Sequence, residues 1–135
     1  MTASLITAAL AFSTRALQLN LDGITHEHSL VQPPGGNCVN WQVGHVVRHR
    51  NYMLEALSAQ TVWSADAQAR YDRGSQPITS DGADVAHLDV LRREFELSTE
   101  RLTAALAGAG EAALAAPAGQ GTVAQRLMTL ALHEA

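Results

Sequence analysis

The 135 residues contain no lysine and a single cysteine, Cys38. All nine basic side chains are arginines, set against 13 acidic ones for a net charge of -4. Nucleic-acid binding needs a positive field to neutralise phosphates, and this composition argues against it. One cysteine cannot form an internal disulfide, which fits a reducing cytoplasm. Long apolar runs are also missing: no stretch reaches the length needed to cross a bilayer, so the chain reads as soluble, cytoplasmic and without a membrane partner. Leu5 to Phe12 is apolar, yet no basic residue precedes it and the first arginine is Arg15, so this segment reads as a mature helix and not as a signal peptide. No segment shows sustained strand alternation.

What is present is helical periodicity. With 47% hydrophobic and 16% charged residues, the chain is expected to form one domain over residues 1–135, large enough to bury a core without disulfides or metal as a folding requirement. Leu5, Ile6, Ala9, Leu10, Phe12, Leu17 and Leu21 predict a first helix over residues 3 to about 20, stopped at Asp22-Gly23. Thr25 can cap a short turn through HEHSL, and VQPPGG forms a loop. A second helix, capped by Asn37 or Asn40, runs to about residue 60. Ser64 can cap one or two further turns before a loop over residues 73–82. Asp81 or Asp84 opens a third helix bearing Val85, Leu88, Leu91, Phe95, Ser98, Leu102 and Ala105. Glycines and Pro117 break the chain around an Ala-rich turn, and Thr122 caps a fourth helix. The expected fold is all-α, a four-helix bundle with long connections. Its last helix is the shortest, leaving apolar side chains of its neighbours facing water at one end unless another chain covers them.

Histidines carry the chemistry. At about 100° per residue, His45 lies within about 40° of Trp41, His49, Tyr52 and Ala56, while Val43, Val47 and Leu54 point the other way. The plain reading of His45 is a buried ring hydrogen-bonded to a backbone carbonyl. Gly44, costly in mid-helix, implies close approach of a helix or ligand. His133 shares a face with Arg126, Thr129 and Leu130 on a helix that must pack inward. Two inward histidines from two helices begin a metal site for zinc, nickel or ferrous iron. His49, one turn after His45, has the spacing that lets two imidazoles reach one ion, though a solvated or phosphate-facing ring is the favoured reading. Tyr52 and Arg48 are candidate pocket walls and Trp41 is core. His26, Glu27 and His28 read as ordinary surface, as do Arg48 with Arg50 and Arg92 with Arg93. His87 receives no role, and Cys38 reads as a small buried hydrophobe.

The stretch from Gly36 to His49, with Asn37, Trp41, Gly44 and His45, resembles the second-helix signature of the DinB/YfiT-like superfamily. The likeness takes in nearly the whole chain, including RYDRG, the Leu-rich third helix and the terminal TVAQRLMTLALHEA, which looks like the start of the family's last helix. The resemblance implies a four-helix bundle with a three-histidine metal site. By motif His45 corresponds to the first ligand, and His133 to the first of a last-helix pair of the form HEAxHxGQ. The second of that pair would fall two residues beyond Ala135, so the third ligand is the point of departure. An HExxH protease reading of His133-Glu134 fails for want of the second histidine.

The resemblance implies a metal-dependent enzyme, a thiol-dependent transferase or a hydrolase, acting on a small molecule and using a divalent transition metal and a low-molecular-weight thiol. The alternative is a non-catalytic helical module that binds a ligand or dimerises, with structural histidines; the short fourth helix favours a homodimer.

Overall fold

The computed structural model describes residues 2–134. Four long helices dominate: α1 (Ala3–Asn20), then, after the short α2 (His26–Ser29), α3 (Val39–Ala56), and, after α4 (Ala65–Ala69), α5 (Leu88–Gly108). The fourth long helix is α7 (Val123–Glu134), preceded by α6 (Glu111–Ala115) and a two-residue hairpin, β1 (Pro117–Ala118) against β2 (Gly121–Thr122). Helix α3 packs on α5 and α7, and α1 packs on α7 and α5, so each long helix has two long neighbours. The protein is all-α apart from that hairpin, which the sequence periodicity does not announce. No helix among the described residues is long and apolar enough to cross a membrane.

Capping fixes most of the boundaries. Thr25 and Ser64 accept hydrogen bonds from the amides of His28 and Ala67, as expected of N-caps. Thr122 and Gln125 cap α7 reciprocally: the Gln125 amide donates to Thr122 Oγ1 and the Thr122 amide to Gln125 Oε1. Two expected helix starts are corrected. Neither Asn37 nor Asn40 caps α3; Cys38 holds that position without a side-chain bond, and Asn40 instead donates to the Ala86 carbonyl. Helix α5 begins at Leu88 and not at Asp81 or Asp84, because His87 caps it while Asp81 and Asp84 pair with His26 and Arg70. Helix α3 also stops at Ala56, short of residue 60. Ser58 turns the chain at φ 54, and the buried Asn51 side chain accepts the amides of Val62 and Trp63.

The core has two apolar clusters. One holds Ile6, Leu10, Met53, Leu54, Leu102, Leu106, Leu127 and Ala131; the other holds Leu21, Cys38, Trp41, Val43, Tyr71, Ile78, Leu88 and Leu91. Between them in register, Ser13, Arg50 and Ser98 are buried polar residues on α1, α3 and α5. The exposed large apolar side chains include Leu5, Phe12 and Leu19, spread at seven-residue intervals along α1 and not gathered at one end as the length of the last helix suggested.

Candidate metal centre

Helix α3 projects His45 and His49 from one face, one turn apart, and α7 brings His133 to them from its last turn. The His49 ring stands between the other two, with centroids 4.3 Å from His45 and 4.9 Å from His133. His45 and His133 are 6.4 Å apart, edge to face. One nitrogen from each of the three rings lies within 4.8 Å of the others. Thus the two sequence-predicted ligands do converge, and His49, expected to be solvated, is the ring that links them.

The His45 ring is held from behind. Its Nδ1 lies 2.7 Å from the Tyr71 carbonyl, a donor position that leaves Nε2 free to bind an ion. Trp41 stacks on the same ring at 4.5 Å, and its indole Nε1 donates to Ser75 Oγ. Gly44 allows this arrangement, because a Cβ there would collide with the Tyr71 ring. Close approach was the reading of Gly44 from sequence, and Tyr71 is what approaches. His45 is thus bonded to a carbonyl, as its plain reading expected, but is half-buried and not fully enclosed.

Burial is the largest cause lowering the His49 pKa from 6.5 to about 4, followed by the charges of His45, His133 and Arg48. A ring that stays neutral near pH 7 keeps a lone pair for a metal. The donor set fits a divalent transition ion: three imidazoles are the ligand class of catalytic zinc sites, with an open position left over. The ligand nitrogens of such a site stand about 3–3.5 Å apart for bonds of about 2.0–2.1 Å. His133, the exposed member of the trio, has the freedom to close the remaining gap.

A cavity of about 410 Å³ opens beside the three rings. Its walls are mixed: Leu17, Leu21, Val39, Trp41, Val43 and Val46 supply apolar surface, while Asn20 and Gln42 add amides beside the three imidazoles. Glu134 also reaches it, but its carboxylate is committed elsewhere. Arg50 Nη2 donates to it at 3.0 Å and Ser13 Oγ at 3.0 Å. Burial pushes the Glu134 carboxyl up from its ordinary value, with the Arg50 charge and hydrogen bonds opposing.

Several sequence expectations change here. Arg48 and Tyr52 are not walls of this cavity: the guanidinium lies over the Tyr52 ring at 3.5 Å and pairs with Asp72, to which Tyr52 also donates. Arg50 is not solvated surface but fully buried. His26 is also buried; its Nδ1 accepts the Leu88 amide, its Nε2 meets Asp81 at 3.2 Å, and it stacks on His87. Cys38 is a buried free thiol, as expected. No family model matches the chain, and no curated protein matches it.

Proposed function

We propose that the protein is a metal-binding helical bundle of the DinB/YfiT-like kind in which His45, His49 and His133 hold a zinc, nickel or iron ion. We further propose that it acts on a small molecule as a thiol-dependent transferase or a hydrolase. The observation that carries this reading is the convergence of three imidazoles from two helices at the mouth of a cavity. A divalent ion supplies a Lewis acid that lowers the pKa of a bound thiol or water. The chain's own residues do the rest: Trp41 and the valines of α3 exclude water from one side, and Asn20 and Gln42 offer hydrogen bonds that orient a substrate.

The lining leaves either route to the ion's own acidity. Among the described residues the one carboxylate at the cavity, Glu134, is bound by Arg50 and Ser13 and is not free to take a proton from water. A thiol, with an ordinary pKa of about 8.5, needs no such base once beside a cation.

Titration of chelator-stripped protein with cobalt(II) tests the metal. The expected result is near one equivalent bound with an absorption band typical of nitrogen ligands, lost in His45→Ala. Protein that takes up no cobalt overturns the reading.

A second reading, a dimerisation module with structural histidines, is favoured by one observation. Leu5, Phe12 and Leu19, each more than half exposed, form a stripe symmetric about Phe12, as an antiparallel pairing of two copies of α1 requires. Light scattering that finds only monomer at high concentration removes it.

A further inference from the structure

The polar layer between the two apolar clusters joins all four long helices through one guanidinium. Arg50 on α3 donates from Nε and Nη2 to both carboxylate oxygens of Glu134 on α7, at 3.0–3.2 Å. Its Nη1 donates to Thr99 on α5 at 2.5 Å, and Nη2 also donates to Thr14 on α1 at 2.9 Å. The guanidinium carbon lies 3.9 Å over the Phe95 ring, and both charged side chains are 1% exposed. Ser13 adds a second bond from α1 to Glu134.

The placement of this pair is what matters. Arg50 directly follows His49, and Glu134 directly follows His133. Successive residues of an α-helix point about 100° apart, so each imidazole reaches the cavity while its neighbour turns into the core. The two helices are therefore clamped at the level of the two rings.

We propose that Arg50 and Glu134 are positioning residues for the metal centre, setting the distance and rotation of α7 against α3 and hence the gap between His49 and His133. This rests on the metal reading above. Apolar burial is non-directional, so the clusters alone tolerate sliding or turning of α7. A planar guanidinium with its donors committed to Glu134, Thr14 and Thr99 does not. A rotation of α7 by one residue swings His133 by about 100° and out of the cavity. Buried ion pairs contribute little net stability compared with apolar replacements, and fixing register is their best-attested use.

The test separates positioning from stability. The double variant Arg50→Met/Glu134→Leu removes both charges at similar volume and is expected to keep the helical circular dichroism and the melting temperature of the unsubstituted protein. Its cobalt(II) affinity is expected to fall by about 10-fold or more, with a shifted visible band. Unchanged affinity and spectrum overturn the proposal while leaving the metal reading standing. If the double variant does not fold, Arg50→Lys is read in its place: it keeps the charge but not the fork, a weakened and spectrally altered site is expected, and unaltered cobalt binding overturns the proposal. Failure of the unsubstituted protein to bind cobalt overturns the metal reading, and this inference with it.

Discussion

The Tyr71 ring occupies the space that any side chain on Gly44 would need, and the Tyr71 carbonyl meets the His45 ring one residue further along α3. A single backbone segment thus depends on the absence of a Cβ for its closeness and holds the first imidazole in place. Gly44→Ala gains helix propensity of about 1 kcal/mol but must displace an aromatic ring that also bonds Asn40 and the Ala86 amide. The expected net effect is destabilisation by about 1–3 kcal/mol, with weaker cobalt binding, checked by thermal unfolding and metal titration on the same sample. A variant as stable as the original, with unaltered binding, contradicts the assigned role of the glycine.

Acid should unfold the metal-free protein earlier than its carboxylates alone require. His49 is lowered from 6.5 to about 4, so as pH falls through 6.5 the unfolded chain takes up a proton that the folded chain refuses until about pH 4. Stability present above pH 6.5 is therefore lost across that window. The whole shift is worth about 3 kcal/mol, and partial exposure of the ring reduces the expected loss to about half of that. Denaturant midpoints measured from pH 7 to pH 4 should show a slope that His49→Gln flattens.

The link made by His49 can be separated from the general presence of histidine. His49→Ala is expected to weaken zinc binding by more than the about 10–100-fold typical of an outer-shell partner, whereas His28→Ala, on an exposed turn, leaves it unchanged. Equal affinities for the two variants, measured by competition with a chromophoric chelator, would show that His49 is not a ligand.

Asn51 anchors the segment after α3. Its buried side chain accepts the Val62 amide at 2.7 Å and the Trp63 amide at 3.3 Å, and donates to the Val47 carbonyl. Asn51→Ala strands two backbone donors and is expected to cost about 2–3 kcal/mol, seen as a lower urea midpoint with accelerated hydrogen exchange at Val62 and Trp63.

Much of this was legible in the residues. The apolar periodicities locate all four long helices, and Thr25, Ser64 and Thr122 mark the starts of the short α2 and α4 and of the long α7, because capping is a local exchange between a hydroxyl and nearby amides. The wheel positions of His45 and His133 predict inward rings; the two come within 6.4 Å of one another, but His133 is exposed and only His45 is half-buried. What escaped depends on partners distant in sequence. Arg50 reads as surface until Glu134, Thr14 and Thr99 surround it, and His26 reads as loop until the Leu88 amide arrives. One signal was present: Ser13, Arg50 and Ser98 interrupt apolar faces at one level of three helices. Solitary charged residues on an apolar face invite the assumption of solvent, and only the assembled neighbours correct it.

The bonds that Glu134 makes to Arg50 and Ser13 close loops of 84 and 121 residues. Such closures form late, since chain entropy resists them until most of the intervening polypeptide is ordered. Before α7 docks, the proposed centre consists of the two imidazoles of α3 alone. On the proposed metal reading, tight binding therefore waits for α7 to dock, and a nascent chain in which α7 has not yet docked should be unable to retain the ion.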